Sequence, residues 1–590
     1  AAYEIKATDY DTAFDSVGAS INAVTKSGTN EFHGSAYYAY KNAGSMVGQI
    51  LSNPSIPDSD RVDFTAFDKD TTYGATFGGP IVKDKLFFFV SAEKQKVTNI
   101  GAQPNNGYAA GKVSDADLAT VEAAATAYGL DPGIALFKNP GNTGLSLESD
   151  RYLAKLDWNI TDGQRLSFTY QDTKENKPTP YDASGSNAAY SSHYYNIDSR
   201  TKDIALQLFS DWSDNFSTEF KVSQQKFDQL AGNPLNQPMV QISTAGGGTI
   251  FLGEDQFRHE NEIHTKTLSA SLAGTWYVGN HTIKGGVDYE KNDINDLFGR
   301  ALHGVLSFNS PEDFANGILK SYSRTVIPDG FGLSDLGFPM SYTQISPFLQ
   351  DTWQVNSNLS VTYGVRVNIP DTNRAPPALT GPTATAYQNV VGFANNSTLD
   401  SKVVEPRFGF NYAFNTERMS QLRGGVGLFQ TSPPTVWIFN PYQNGGVNGL
   451  LSTSSLSGET IDQLLHDVDN HNVSDWLGAG GTGSRPQVDA ISPDFKLPTA
   501  WKFSLGYDAE LPWYGIVASV DALYIRNKDA IIYTEPNTGI ASTGATPTVL
   551  PDGRIGYWTN GLPANNTYVN NAGDITCYVS QTCNGVYVAN

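Results

Sequence analysis

The chain has 590 residues, of which 17% are charged and 12% are aromatic, and its formal net charge is −21. The acidic balance excludes a general nucleic-acid binder, because phosphates require a basic surface. No run of about 20 apolar residues is present, which excludes a helical membrane protein, whereas a membrane-spanning β-strand needs only about 9–11 residues. The 56 glycines, 30 tyrosines and 30 phenylalanines are typical of strands and turns.

The N-terminal stretch differs from the rest of the chain. Residues 17–30 predict a short strand and a Ser27-Gly28-Thr29-Asn30 turn, which leads directly into a second strand at 31–38. The chain opens without the basic and apolar leader of an exported protein. We therefore expect either a removed leader or a fragment, and we favour the fragment.

A repeating unit follows, made of an alternating strand, a short polar turn, a second alternating strand and a long irregular segment. At 151–172, Leu156, Trp158 and Ile160 alternate with polar residues before a turn at 161–164, and apolar and polar residues alternate again after it. A period of two gives each strand one apolar and one polar face. The unit recurs at 265–292, 343–368, 404–430 and 500–527, and more loosely at 71–95 and 203–228.

Connections between the strand pairs are long, whereas those within pairs are a few residues. The long segments are about 42–70, 96–149, 173–201, 229–263, 293–342, 369–403, 431–499 and 531–590. Compact soluble domains rarely carry so many long loops on alternate connections, but outer-membrane barrels do. The pattern predicts an all-β, transmembrane antiparallel β-barrel with roughly 15 strands in this chain.

Five of the nine tryptophans lie beside the short turns. Transmembrane barrels carry aromatic rings at headgroup level, so an aromatic girdle is predicted at Trp158, Trp212, Trp276, Trp353 and Trp513. A soluble sandwich would bury tryptophan in mid-strand instead. The alternative, that tryptophan simply ends strands often, receives less weight.

Two loop segments, 114–128 and 457–477, have helical spacing. Near the end of the chain, Cys577 and Cys583 predict a local disulfide in an oxidising compartment. Two unpaired thiols are the alternative, and zinc is disfavoured because no third and fourth ligand lie nearby.

Several short motifs, in their order along the chain, resemble the Oar-like, OmpA-related branch of the TonB-dependent receptors. The longest are TKSGTNEFHG at 25–34 and GGPIVKDKLFFF at 78–89. Four tetrapeptides follow, QDTW at 350–353, YGVR at 363–366, PRFG at 406–409 and PDGR at 551–554. No single tetrapeptide is decisive, but their order and spacing make the resemblance fairly specific.

The resemblance implies that residues 1–30 are the C-terminal end of a plug domain and that 31–590 form a partial barrel with long extracellular loops. The plug–barrel junction would comprise Asn22, Thr25, Lys26, Ser27, Gly28, Thr29 and Asn30. The family closes its barrel with 22 strands and contacts the TonB complex through a segment absent here. Since an open set of strands leaves an unpaired edge in lipid, we expect a fragment or a chain completed by another polypeptide.

The resemblance further implies an active transporter in the outer membrane of a Gram-negative bacterium, moving a bulky substrate such as a peptide, protein, glycan or metal chelate. Expected partners are outer-membrane lipid and lipopolysaccharide, the TonB complex and an unknown extracellular ligand, but no nucleic acid. The alternative is a structural or adhesive protein that displays long loops. A secreted β-protein such as a lectin is a third hypothesis, and the tryptophan positions speak against it.

No catalytic constellation is recognisable, because the GxxxxGK[ST], HExxH and GxSxG motifs are all absent. We therefore expect no enzyme, and no cofactor beyond loop-bound calcium. Weak calcium candidates crowd the first long loop at Asp58, Asp60, Asp63, Asp68 and Asp70, although their spacing misses an EF-hand. His466 and His471 could bind metal, but a solvated surface is the favoured interpretation.

Five charged residues fall on the polar faces of predicted strands. Barrel interiors are polar, so these residues are expected either to bond plug residues or to line the lumen. They are Lys284, Asp288, Arg366, Asp508 and Asp521.

Overall fold

The structure is a computed structural model dominated by one large antiparallel sheet of fifteen strands. It describes residues 2–6, 10–15, 17–18, 20–43, 67–101, 106–139, 142–233, 235–432, 434–445, 451–453, 460–472 and 488–532, together with five short strands after residue 539. In chain order the strands are β1 (Ala2–Lys6), β2 (Ser20–Val24), β3 (His33–Asn42), β4 (Lys69–Val82), β5 (Leu86–Thr98), β6 (Ser146–Thr161), β7 (Gln164–Thr179), β8 (Asn187–Ala189), β9 (Tyr195–Ser213), β10 (Phe216–Gly232), β11 (Met239–Ser243), β12 (Thr249–Leu252), β13 (Glu260–Val278), β14 (His281–Gly299), β15 (Val305–Phe308), β16 (Ser321–Val326), β17 (Met340–Gln354), β18 (Leu359–Thr372), β19 (Val403–Ala413), β20 (Ser420–Gln430), β21 (Leu451–Thr453), β22 (Thr499–Glu510), β23 (Val517–Asp529), β24 (Ile540–Ala541), β25 (Thr548–Val549), β26 (Ile555–Gly556), β27 (Thr567–Val569) and β28 (Ile575–Cys577).

The large sheet, which we call the wall, is an up-and-down meander. Each strand pairs antiparallel with its neighbour in the order β3-β4-β5-β6-β7-β9-β10-β13-β14-β17-β18-β19-β20-β22-β23. Short turns such as 162–163 and 279–280 join strands at one end, and the long connections lie at the other end. The predicted all-β antiparallel architecture, with its alternation of short and long connections, is confirmed.

The wall strands have one apolar and one polar face, and the apolar face is the exposed one. On β18, Tyr363 and Val365 are 44% and 36% exposed, whereas Arg366 and Asn368 are 5% and 0% exposed. A soluble protein buries its apolar residues instead. Apolar residues outside and polar residues inside are the arrangement of a barrel surrounded by hydrocarbon.

In the described residues, five helices lie in the long connections: α1 (Asp115–Ala127), α2 (Pro311–Ala315), α3 (Gly381–Val391), α4 (Thr435–Gln443) and α5 (Ile461–His466). Single 3₁₀ turns occupy Leu136–Lys138, Ser191–His193 and Leu333–Leu336. The helix predicted at 114–128 is confirmed, with Ser114 as its N-cap. Of the helix predicted at 457–477, the described part is helical only in α5. No helix in the described part of the chain has the length and apolar character needed to cross a membrane.

The long connections pack together into a second unit, which we call the loop layer. It consists of a sheet ordered β21-β16-β15-β11-β12-β8, together with α1, α2 and α5. Its interior is apolar and fully buried, and includes Leu118, Ile242, Phe308, Phe314 and Leu465. Unlike the wall, the loop layer is therefore built as a soluble domain is built, with its apolar residues inside.

Candidate functional site

The inward face of the wall holds the described residues 10–15 and 17–18, which we call the lumenal segment. Lys284 Nζ lies 2.9 Å from Asp11 Oδ2, and the Thr12 N–H donates to Gln350 Oε1 at 2.9 Å. These bonds fasten the segment to β14 and β17. Thr12 is completely buried, so the segment is packed against the wall and does not only touch it.

Arg407 of β19 is the centre of the contact between wall and segment. Its fully buried side chain places Nη2 3.2 Å from Asp15 Oδ1 and 2.8 Å from Glu405 Oε2. Nη1 donates to the carbonyl of Asp11 at 2.8 Å and to that of Phe14. A buried guanidinium needs both charge partners and acceptors for its N–H groups, and the segment supplies much of this set.

Arg366 of β18 makes a second, adjoining contact. Its Nη1 donates to Asp288 Oδ2 at 2.6 Å and to the Thr12 carbonyl at 3.3 Å. Asn368 accepts from Arg366 Nε at 3.0 Å and donates to Asp15 Oδ2 at 2.6 Å. Of the two alternatives predicted for the inward-facing charged residues, Lys284 and Arg366 follow the first in that they bond residues near the N-terminus. We name the lumenal charge cluster by its seven members, Asp11, Asp15, Lys284, Asp288, Arg366, Glu405 and Arg407.

Tyr10 extends the contact to β20 and β22. Its hydroxyl donates to the Gly425 carbonyl at 3.1 Å and to Ser504 Oγ at 2.8 Å, and burial raises the pKa of Tyr10. A Cβ added at Gly425 would lie 2.4 Å from Tyr10 Cε2, so the wall has a glycine where the ring approaches it. On β22, Lys502 Nζ donates to the carbonyl of Gly18, the last described residue of the lumenal segment, at 3.0 Å.

The predicted junction residues lie against a different part of the wall, at β4 to β6. Lys155 Nζ donates to Ser27 Oγ at 2.9 Å. Asn30 and Asp84 bond reciprocally, with Asn30 Nδ2 2.5 Å from Asp84 Oδ1 and the Asp84 N–H 2.7 Å from Asn30 Oδ1. The described residues between 10 and 30 therefore contact two separate parts of the wall, β14 to β22 and β4 to β6.

Gly28 fits where a larger residue would not. A Cβ on it would lie 2.3 Å from the Phe88 carbonyl oxygen, which belongs to a wall strand. Of the other junction residues, Thr29 Oγ1 donates to the Glu31 carbonyl at 3.0 Å, Asn22 lies on β2, and Thr25 and Lys26 follow that strand. The role of these residues as a boundary between plug and barrel stays a prediction.

A cavity of about 310 Å³ adjoins the charge cluster on the inner side of the wall. Its lining is polar and comes from β10, β13, β14, β17 and β18, with Asp288 and Arg366 shared with the cluster and Lys221 and Glu290 opposite. A cavity with many polar lining residues therefore lies beside the segment on the inward face of the wall.

The predicted girdle residues are all exposed and lie at the end of the wall with the short turns. Trp158, Trp212, Trp276, Trp353 and Trp513 are between 39% and 64% exposed. Exposed tryptophan at this level suits the lipid headgroup region, where one end of the indole is apolar and the other meets water. Their role as a membrane anchor stays a prediction.

Asp508 and Asp521 both pair with Arg423, at 2.9 and 2.8 Å. Both aspartates lie on wall strands, and Arg423 lies on the wall strand β20, so these ion pairs are made within the wall.

The remaining candidates are placed only in part. Of the calcium candidates, Asp58, Asp60 and Asp63 lie outside the described residues, Asp68 lies 3.9 Å from Lys69 and Asp70 pairs with Lys41 at 3.2 Å. Since three of the five carboxylates lie outside the described residues and the other two face lysines, calcium binding by this loop stays a prediction. Cys583 and the side chain of Cys577 lie outside the described residues, as the predicted disulfide therefore does.

The two loop histidines bond to neighbouring residues on α5 and just after it. His466 Nδ1 bonds to the Asp462 carbonyl at 2.7 Å, and His471 Nε2 lies 2.8 Å from Asp467 Oδ1. The solvated interpretation suits His466, which is half exposed.

Of the lumenal charge cluster, sequence reasoning missed Asp11, Asp15, Glu405 and Arg407. Glu405 and Arg407 stand two apart on the inward face of β19, so strand periodicity could have placed them beside Arg366. Asp15 has no regular structure around it, and only the folded chain brings it to the wall.

A two-faced antiparallel wall, apolar outside, whose polar lumen contains an N-terminal segment defines an outer-membrane β-barrel. The family of outer membrane beta barrel domains matches residues 24–127 and 98–574, and the chain belongs to that family. A 77-residue stretch is 44% identical to the TonB-dependent transporter Oar of Myxococcus xanthus, covering 12% of this chain and 7% of Oar. The predicted resemblance to the TonB-dependent receptors is thereby confirmed, as is the location of the chain in the outer membrane of a Gram-negative bacterium.

The chain resembles many solved structures, among them a transporter and a siderophore receptor. The outer membrane transporter YddB from Escherichia coli has a TM-score of 0.52 and 12% identity, with 87% of this chain and 53% of YddB covered. The siderophore receptor PirA from Pseudomonas aeruginosa has a TM-score of 0.46 and 11% identity, with 91% of this chain and 62% of PirA covered. The chain thus spans less than two thirds of these relatives. YddB is described as a transporter and PirA as a siderophore receptor.

Proposed function

We propose that this chain forms the wall and the end of the plug of a TonB-dependent outer-membrane transporter. The observation that carries the proposal is the lumenal segment, held against the inward face of the wall by the lumenal charge cluster. A protein that only displays loops needs no polypeptide inside its lumen. A transporter needs the lumen closed at rest by a part that can be released.

The chemistry of the contact suits release. Ion pairs and hydrogen bonds join Asp11, Thr12 and Asp15 to the wall. Water can replace each of these bonds when it enters the lumen, whereas a closely packed apolar contact would lose its burial without compensation. A pull transmitted from TonB through the plug would therefore separate the segment from the wall with water taking its place.

A bulky substrate is supported by two features, the folded loop layer at the mouth and the polar cavity beside the segment. The proposed substrate classes are a peptide, protein, glycan or metal chelate that first binds the loop layer. The exposed apolar face of the wall would contact lipid, and the loop layer would meet lipopolysaccharide.

The test is a labelling experiment in whole cells with the variant Thr12→Cys. Thr12 is completely buried, so a membrane-impermeant maleimide should label it only when the segment moves. Cells with intact TonB should label this cysteine faster than cells lacking TonB. Lys320→Cys, exposed on the loop layer, is the control and should label equally in both. Equal labelling of Thr12→Cys in the two strains would contradict the proposal.

The alternative function, a surface protein that displays its loops for adhesion or structure, is favoured by one feature. The loop layer has its own apolar core, which includes Leu118 and Phe308, and a folded layer is a binding surface in its own right. This alternative predicts that adhesion survives loss of TonB and that nothing taken up by the cell depends on the protein.

A further inference from the structure

Three buried side chains meet where the loop layer joins the wall. Glu254 and His259 lie in the connection between β12 and β13, and His303 lies in the connection between β14 and β15. One donor atom from each lies within 4.8 Å of the other two. The three residues are 3%, 5% and 5% exposed, so this group of ionisable side chains is removed from solvent.

His259 is held as a neutral imidazole. The His303 backbone N–H donates to His259 Nδ1 at 2.9 Å, and His259 Nε2 lies 3.2 Å from the Glu254 carbonyl oxygen, to which it donates. A neutral imidazole is the form that binds metal.

His303 supplies a nitrogen that is aimed into the group. Within the described part of the chain, His303 Nδ1 is buried and has no hydrogen-bond partner. It lies 3.5 Å from Glu254 Oε2, and the rings of His303 and His259 stack with centroids 4.5 Å apart. A buried polar atom without a hydrogen bond is rare in a native protein and indicates a missing partner.

We propose that Glu254, His259 and His303 bind a divalent transition-metal ion, Zn²⁺ by preference. Two imidazoles and one carboxylate form a donor set that zinc accepts, with a fourth position for water. Calcium and magnesium prefer oxygen ligands and are disfavoured.

The geometry needs only a small adjustment. Zinc–nitrogen bonds of about 2.0–2.1 Å separate neighbouring tetrahedral ligands by roughly 3.4 Å, and the His303 Nδ1–Glu254 Oε2 pair at 3.5 Å already has that separation. His259 would bind through Nδ1, exchanging its bond from the His303 N–H for the ion. Its Nε2–H would keep the Glu254 carbonyl, the kind of outer partner that orients a ligating histidine.

The competing interpretation is a buried polar cluster without metal, in which Glu254 and His303 form an ion pair. That interpretation leaves His303 Nδ1 without a hydrogen bond at 3.5 Å. The positive charge of Arg324, which opposes a cation nearby, is balanced by Asp467 Oδ2 at 2.7 Å. A metal ion satisfies the open nitrogen, compensates the buried carboxylate and links two connections of the loop layer.

The test is zinc binding by the purified full chain in detergent, after treatment with a chelator and dialysis against ZnCl₂. Mass spectrometry of the metal content should give one zinc per chain for the wild type. Glu254→Gln and His303→Gln should each weaken binding by at least about tenfold. The control His264→Gln removes an exposed histidine from β13 and should keep full binding.

A second readout keeps the proposal testable if a variant fails to fold. Co²⁺ added to the stripped wild type should give the visible absorption of a four- or five-coordinate site with nitrogen ligands, and Zn²⁺ should abolish it. A wild type that binds no more zinc than the folded His303→Gln variant, or that gives only the spectrum of aqueous cobalt, would overturn the proposal.

Discussion

Replacing Arg407 by methionine should loosen the lumenal segment strongly. The Arg407 and Glu405 side chains are 0% exposed and that of Asp15 is 17% exposed, so the change leaves two largely buried carboxylates without their cation. Removing one partner of a buried ion pair costs about 3–5 kcal/mol. Since 1.36 kcal/mol is a tenfold change, the opening equilibrium of the segment should rise by roughly two to three and a half orders of magnitude.

Hydrogen exchange measured by mass spectrometry on residues 10–18 reports this opening directly. Arg200→Met is the control, because Arg200 pairs with Asp172 at 2.7 Å but is 48% exposed, and an exposed pair contributes only about 0.2–1 kcal/mol. Adding Glu405→Gln to Arg407→Met should restore part of the protection by removing one uncompensated charge. If Arg407→Met speeds exchange no more than Arg200→Met does, the reasoning about burial is wrong.

Three further predictions concern other parts of the molecule. Gly28→Ala should destabilise the junction by about 1–3 kcal/mol, because the new Cβ would lie 2.3 Å from the Phe88 carbonyl oxygen. Limited proteolysis of the N-terminal stretch measures this loss. The control Gly274→Ala should be neutral, because the atom nearest to its new Cβ lies 3.4 Å away. Arg324→Met should destabilise the loop layer by about 3–5 kcal/mol, since Arg324 is fully buried against Asp467; unchanged exchange of the β16 amides would refute this. Burial opposes the charge of Asp467, but the hydrogen bond from His471 and the charge of Arg324 outweigh it and lower the pKa of Asp467. The ionised Asp467 therefore contributes its full share to the stability of the loop layer above the unfolded-state pKa of about 3.9, and this share is lost as the pH falls further. Acid titration of loop-layer unfolding should show this loss for the wild type and not for Asp467→Asn.

The wall could be predicted because its physics is local. Alternation along one strand, as at Leu156, Trp158 and Ile160, already separates a lipid face from a lumen face, and the chain order of the strands sets their pairing. The same reasoning placed Lys284 and Arg366 inside the barrel. The turns were predictable because polar and glycine residues interrupt the alternation at short intervals.

The site itself depended on contacts between residues far apart in sequence. Asp15 and Arg407 are separated by 392 residues, and no local pattern brings them together. The group of Glu254, His259 and His303 joins two different connections and lacks any short-range metal motif. The sequence pattern indicates only irregular segments where the loop layer forms, because the strands of this layer are as short as three residues and pair with strands from other connections.

The pairing pattern of the loop layer constrains how the protein is made. β11 pairs in parallel with β15, matching Val240 to Leu306, and β12 pairs in parallel with β8, matching Ile250 to Ala188. The two strands of a hairpin can pair as soon as both are made. The parallel pairs can form only after the wall strands between their members, β9 and β10 or β13 and β14, lie side by side. Non-local pairing is slow because loop-closure entropy must be overcome before contacts reward it. The pairs β11–β12 and β15–β16 can close within their own connections, so the parallel pairs are the part of the loop layer whose formation depends on strands already placed in the wall.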